Sequence, residues 1–269
     1  MTQATPFYLV AFNRIRGIES ALDIVARSTI PLELIVLDMG STWDKYWAFI
    51  QTSQVRVIRI PGGIGPRDLW RTRIIETLGT GGFYLSDGDI DYSMTTDSAF
   101  EQMMAVSKRF PWFPKVGLAL DLEVIPNDLE GRRVRSWAKN DWRVQIEKNI
   151  FISGVDTTIA YYPTRDLTFY YRPGLRIAGD CTCNHYPWQE RIGSLNEEAK
   201  FYWNLANSRI SSTAEALWPE SKFIAKQFVY IKFIALAKCL LKYGVTAKVI
   251  VRILSLNGTI KPDGKQLTD

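Results

Sequence analysis

The sequence predicts an α/β protein with a doubly wound, mostly parallel sheet, and two observations carry that expectation. Short apolar runs, nearly continuous rather than alternating, recur through the first hundred residues, the pattern of strands buried on both faces. Segments with helical spacing separate these runs, so strand and helix alternate as they do in a parallel sheet.

Phe7 to Phe12 is the first strand. From Glu19 to Arg27, with Ile18, Ala21, Leu22, Val25 and Ala26 at helical spacing, a helix follows. Leu34 to Leu37 is a second strand, ended by Asp38-Met39-Gly40-Ser41-Thr42, and Trp43 to Gln51 a second helix. Val55 to Ile60 is the third strand, Pro61 to Pro66 a glycine-rich loop, and Arg67 to Leu78 a helix. Phe83-Tyr84-Leu85 is a fourth strand that runs directly into Asp87, Asp89 and Asp91. Beyond Asp91 the pattern changes: a helix over Ser98–Phe110, a strand over Lys115–Val124, and a charged excursion from Asn127 to Trp142. Strands are expected at Gly154–Tyr162 and Thr168–Tyr171, then the segment Leu175–Trp188 and a helix over Leu195–Asn207. The implied organisation is a domain over residues 1–215, with halves 1–91 and 92–215, and a helical extension over 216–269.

Composition excludes several classes. With 269 residues, 46% of them hydrophobic and 23% charged, the chain can bury a sizeable core and is not disordered. Eighteen glycines and three cysteines exclude a collagen-like or disulfide-rich scaffold. One histidine excludes a Cys/His zinc site of ordinary spacing, so Cys181, Cys183 and Cys239 are expected to be reduced thiols of a cytoplasmic protein. The opening MTQATPFYLVAFNR has no basic leader region, and no apolar run reaches the roughly 18 residues of a spanning helix.

The formal charge of +5 is unevenly placed: residues 221–269 carry +7 and residues 1–220 carry −2. That distribution argues against a nucleic-acid-binding body. In the extension, Lys226, Lys238, Lys242, Lys248 and Arg252 fall on one side of a helical wheel in an otherwise strongly apolar segment, with Lys232 the exception. Such a basic amphipathic helix suits the headgroup region of an anionic membrane, which would place the protein on the inner face of the membrane.

The most informative stretch is Ser86-Asp87-Gly88-Asp89-Ile90-Asp91. Carboxylates this close repel one another unless a cation lies between them. At the carboxyl edge of an α/β sheet, where such sheets bind ligands, a hard divalent ion accompanied by diphosphate answers that repulsion. An EF-hand loop is excluded, because its required Gly and Glu positions are occupied by Tyr92 and Ser98. An aspartyl phosphatase would carry its D-x-D on the first strand instead of the fourth.

Asn13-Arg14 after the first strand, L-I-V-L-D-M-G-S-T, the G-I-G-P-R loop and F-Y-L-S-D-G-D together resemble a GT-A-fold glycosyltransferase of the family 2 type. The later pieces K-V-G-L-A-L-D-L, V-D-T-T-I-A-Y-Y and H-Y-P-W, followed by an acidic helix, resemble a bacterial branch of that group, over about residues 6–212. The resemblance implies transfer of a sugar from a UDP-, GDP- or dTDP-sugar, with Mn²⁺ or Mg²⁺, to a glycan or lipid-linked acceptor in surface polysaccharide synthesis. It implies metal ligation by Asp87, Asp89 and His185, with Asp87 also reaching the ribose. Asp38, Asn13 and Arg14 would meet the nucleoside, and Arg67 and Arg71, one helical turn apart, the phosphates. Gly62 and Gly63 stand where family 2 chains often carry Asn.

An inverting transfer needs a carboxylate base for the acceptor hydroxyl. Asp156 and Glu197 are the candidates, with Asp121 and Glu198 as alternatives; retaining chemistry would need none. Trp137, Trp142, Trp188 and Trp203 are candidate sugar-stacking faces. Two rival classes remain: a sugar-1-phosphate nucleotidyltransferase, for which Phe12–Gly17 holds too few glycines, and a non-catalytic nucleotide-sugar-binding module.

Overall fold

A computed structural model of the protein describes residues 3–60, 69, 73–155, 158–165 and 173–205. The glycine-rich loop, Arg67, Arg71, Asp156, the expected strand at Thr168–Tyr171, Cys239 and the basic extension lie outside the described residues.

In chain order the elements are β1 (Thr5–Ala11), α1 (Arg16–Arg27), β2 (Leu32–Asp38), α2 (Asp44–Ser53) and β3 (Arg56–Arg59). Then come α3 (Ile74–Thr77), β4 (Phe83–Asp87), β5 (Ile90–Asp91), α4 (Ala99–Arg109), β6 (Val116–Leu118) and α5 (Leu129–Ala138). β7 (Val144–Glu147), β8 (Ile150–Ser153), β9 (Ile159–Tyr162), β10 (Gly174–Ile177), β11 (Asn184–His185), α6 (Tyr186–Gln189) and the helix α7 at 197–205 complete the set.

Among the described residues one sheet has nine strands in the order β3-β2-β1-β4-β9-β6-β10-β8-β7. Seven run in one direction, and β8 and β9 run against them. The expected α/β, mostly parallel architecture is therefore present, and both expected halves share the sheet through the β4–β9 pairing.

The path of the chain explains why the sheet is covered twice. From β1 to β3 it steps outward on one side of β1, and β4 is then laid on the other side. Right-handed connections place helices on opposite faces when the direction of stepping reverses. Accordingly Phe7, Leu9 and Val36 pack under Ile18, Ala21 and Ile24 of α1 and Tyr46 of α2. The alternate residues Tyr8, Val10, Ile35 and Leu37 pack against Leu69 and Ile75 on the opposite face. Each fully buried side chain of this size is worth about 1.5–3 kcal/mol, so β1, buried on both faces, anchors both layers. The reversal falls between β1 and β4, and the carboxyl ends of strands at such a point are where open α/β sheets take ligands.

Two expected strands are shortened: of Gly154–Tyr162, among the described residues, only Ile159–Tyr162 is a strand. Of Lys115–Val124 only Val116–Leu118 is laddered; Leu120 makes an isolated bridge to Cys183, and the chain then turns away from the sheet. The hairpin β7–β8 at the sheet edge was not anticipated; it is closed by Lys148-Asn149, with Asn149 at φ 60°. The charged excursion from Asn127 contains α5, held to the body where Arg191 grips Asp128 at 2.5 and 3.0 Å.

Candidate functional site

β1 and β4 pair in parallel with Val10 opposite Asp87, so the acidic turn begins level with the end of β1. The turn is tightly enclosed. A Cβ on Gly88 would lie 2.7 Å from the Val10 carbonyl oxygen, and one on Gly17 only 1.9 Å from the Gly88 oxygen. Glycine at both positions lets the start of α1 press directly on the backbone of Asp87-Gly88-Asp89.

The single histidine returns to this turn through a two-stranded ribbon. β11 pairs antiparallel with β5, setting His185 opposite Ile90, and the Tyr186 N–H donates to the Asp89 carbonyl at 3.0 Å. His185 Nε2 thereby comes within 3.4 Å of Asp89 Oδ1, the two side chains being 16% and 20% exposed. Burial by itself pushes the Asp89 carboxyl up, but His185 and then the Arg14 guanidinium pull it down, and the net shift is downward. Asp89 is thus held as a carboxylate. Asp91, the third acid of the run, is engaged differently: it accepts from Ser93 N at 2.9 Å and Asn184 Nδ2 at 3.3 Å, which ties the ribbon together.

Arg14 lies behind the pair. Its Nη1 donates to Glu190 Oε1 at 2.9 Å and lies 3.8 Å from Glu198 Oε1, while the guanidinium stacks over Tyr202 at 4.0 Å. Burial opposes its charge, but Glu190 and then Asp89 more than offset that, and its pKa is raised. Trp203 Nε1 donates to the other Glu190 oxygen at 3.1 Å. The Tyr202 phenol is pushed up by burial and by the fields of Asp89 and Asp87, with Arg14 opposing. Three carboxylates, Glu190, Glu198 and Asp89, therefore act on one guanidinium, and Asp89 also faces the imidazole.

Asn13 and Asp38, expected at the nucleoside, come together in a laced turn. Asn13, at φ 53°, accepts at Oδ1 from Thr42 N and Trp43 N (2.8 and 2.9 Å), and its own N–H donates to Ser41 Oγ. The fully buried Asp38 accepts from Ser41 N at 3.1 Å and Gly40 N at 3.3 Å, with Arg59 Nε at 3.6 Å. These side chains hold the backbone in place at the carboxyl ends of β1 and β2.

The acidic start of α7 divides its two glutamates. Asn196 caps the helix through the Ala199 N–H at 2.8 Å. Glu197, a base candidate by sequence, is 65% exposed and paired with Lys45. Glu198 turns inward instead. Asp121 accepts from Glu123 N in its own turn. Of the tryptophans, Trp188 meets the His185 ring edge-on at 5.2 Å, Trp203 holds Glu190, and Trp142 packs on Phe151 in the hairpin. Glu190 and Tyr202 were not singled out by sequence. An acid between Gln189 and Arg191 reads as solvated loop, and only the fold reveals its partner.

For a divalent ion the donor set fits. Asp89 Oδ1 is buried, and its partner is the His185 imidazole. It faces an imidazole nitrogen at a separation close to the roughly 3 Å between adjacent ligands of an octahedral ion with 2.1 Å bonds. Among the described residues no three His, Cys, Asp or Glu side chains are gathered as a metal cluster. An ion that carries substrate phosphates takes only one or two carboxylates from its protein, so a partial set agrees with that use.

No protein-family model and no curated protein matches the sequence. Among solved structures the chain is similar to glucosyl-3-phosphoglycerate synthase from Mycobacterium tuberculosis in complex with Mn²⁺, UDP and glucosyl-3-phosphoglycerate, at 19% identity and a TM-score of 0.40. The complex of that enzyme with Mn²⁺ and UDP-glucose matches at 20% and 0.38. Both matches cover 61% of this chain and 57% of the other, so the chain spans little more than half the length of those structures. Values this low leave the chemistry to be argued from the chain's own residues.

Proposed function

We propose that the protein is a divalent-metal-dependent glycosyltransferase of GT-A type that uses a nucleotide-sugar. The observation that carries this reading is the Asp89–His185 pair at 3.4 Å, at the switch point of the sheet, where the β5–β11 ribbon brings an acid and an imidazole together from distant parts of the chain. Asp89 and His185 would hold the ion, and Asp87 would reach a metal-bound water or the ribose. An imidazole in the set favours Mn²⁺ over Mg²⁺, which prefers oxygen ligands. When bound, the ion supplies neutralisation of the charge that builds on the departing diphosphate. The field of Arg14, second to that of His185, favours the carboxylate form of Asp89.

A base for the acceptor hydroxyl is assigned to Asp156 on sequence alone; Glu197, held outward by Lys45, is the weaker candidate. Asn13, Asp38, Arg67 and Arg71 remain assigned to the nucleotide, and the acceptor to a glycan or lipid-linked precursor. The basic extension would contact an anionic membrane, where its cations gain most; among the described residues no helix is long and apolar enough to cross one.

The nucleotidyltransferase reading loses support at the β1–α1 corner. A triphosphate cradle needs free amides at the start of α1, and Glu198 already occupies those of Ile15 and Arg16.

The test is incubation with UDP-, GDP- and dTDP-sugars, with and without Mn²⁺. Slow Mn²⁺-dependent release of the sugar to water is expected from one of them, whereas a binding module would release none. Asp89→Asn should weaken Mn²⁺-dependent nucleotide binding by more than the roughly 10–100-fold that outer-shell changes cost. Undiminished binding in that variant would refute the site.

A further inference from the structure

We infer that Glu198 is a positioning residue for the Asp89–His185 pair, acting through the first turn of α1; the inference rests on the metal role proposed for that pair. Glu198 lies on α7, far from the acidic turn in sequence, and its side chain is 7% exposed. Its Oε2 accepts from the Ile15 N–H at 2.6 Å and the Arg16 N–H at 3.0 Å. Ile15 and Arg16 are the cap and first residue of α1, and no side chain of the local sequence caps that helix. A carboxylate on these amides satisfies two orphan donors and opposes the positive end of the helix dipole.

What makes this more than a cap is the next contact along the chain. Gly17 follows Arg16 directly and lies against Gly88, so closely that a Cβ there would fall 1.9 Å from the Gly88 oxygen. Gly88 separates Asp87 from Asp89, and the Asp89 carbonyl takes the Tyr186 N–H that sets the height of His185. Glu198, the α1 amides, Gly17, Gly88 and Asp89 thus form one continuous series of backbone contacts without a flexible side chain between Gly17 and the turn. If α1 is released at its start, the acidic turn loses the wall it rests on, and the Asp89–His185 separation is no longer held. A metal pair tolerates only a few tenths of an ångström in ligand placement, so a loosened turn weakens binding before it unfolds the protein.

Two variants separate position from charge. Glu198→Gln keeps a side-chain oxygen at full reach for both amides but removes the negative charge. Glu198→Asp keeps the charge but withdraws it by one methylene. Mn²⁺ is titrated into each full-length protein by calorimetry, with the electron spin resonance of free Mn²⁺ as a second readout. Glu198→Gln should keep the wild-type affinity within about threefold, whereas Glu198→Asp should weaken it by roughly 10–100-fold, the range for outer partners of metal ligands. As a control, Ile24→Ala opens a cavity at the far end of α1, where the side chain is fully buried; it should lower the unfolding midpoint yet leave the affinity unchanged. Glu198→Gln binding more weakly than Glu198→Asp would show that only charge matters and would overturn the inference. Wild-type affinity in both variants would overturn it as well, as would an equal loss in Ile24→Ala. Absence of Mn²⁺ binding by the wild-type protein would instead remove the proposed site itself, a result seen before any variant is compared.

Discussion

Gly17 shows how two effects of known size compete at one residue. Alanine is the better helix former by about 0.5–1 kcal/mol, so on propensity Gly17→Ala should stabilise α1. The added Cβ, however, meets the Gly88 carbonyl at 1.9 Å, and backbone on both sides cannot rotate away. Overpacking of this kind costs about 1–3 kcal/mol, which outweighs the propensity gain. Gly17→Ala is therefore expected to lower the unfolding midpoint and to weaken Mn²⁺ binding; a raised midpoint would mean that the contact is slack. At this scale the acidic turn was legible, because three carboxylates beside an apolar strand cannot be core. Glu190 was not. Its meaning depends on Arg14, which the chain brings to it from the opposite end of the described residues and which no local pattern announces.

At the scale of elements, continuous apolar runs exposed β1 to β4 in the sequence, because burial on both faces leaves no polar alternation to confuse the reading. The β7–β8 hairpin escaped although its signal was present: Val144 and Ile146, then Ile150 and Ile152, alternate on either side of Lys148-Asn149. Asn is one of the few residues that readily adopt the left-handed conformation seen at Asn149. α5 offers a pH prediction. Arg191 and the Gly131 N–H hold the Asp128 carboxyl down to about 2, below its ordinary 3.8. A carboxyl depressed on folding contributes stability that is complete above its ordinary value and is lost as pH falls through the folded value. Amide exchange over residues 126–138 should accordingly be level from pH 7 to 5, after correction for intrinsic rates, and rise between about pH 4 and 2. Asp128→Asn should show that raised exchange already at neutral pH. An unchanged pattern there would mean that α5 is held by packing alone.

On the scale of the whole molecule, a ligand that binds only the folded state raises its stability by RT ln(1 + [L]/Kd), about 2.7 kcal/mol at a hundredfold excess over Kd. For a chain of this size that corresponds to a rise of about 5–10 °C in the unfolding midpoint. The cognate nucleoside diphosphate with Mn²⁺ should produce such a rise, and the chelator EDTA should abolish it. A shift that survives chelation would assign nucleotide binding to residues other than Asp89 and His185. The sequence by itself determined the alternating α/β architecture, the parallel N-terminal strands, the acidic turn at the edge of the sheet and the separation of a near-neutral body from a basic extension. Each of these is written in contiguous residues, through periodicity or local charge. The resemblance had implied that His185 meets Asp89, but only the tertiary structure decided that the β5–β11 ribbon brings them together, that Arg14 is enclosed by Glu190, Glu198 and Tyr202, and that Glu197 faces outward while its neighbour caps α1. Those relations join segments distant along the chain, and their energies come from burial and charge pairing that exist only after the sheet has closed. One-dimensional spacing has no means of encoding them.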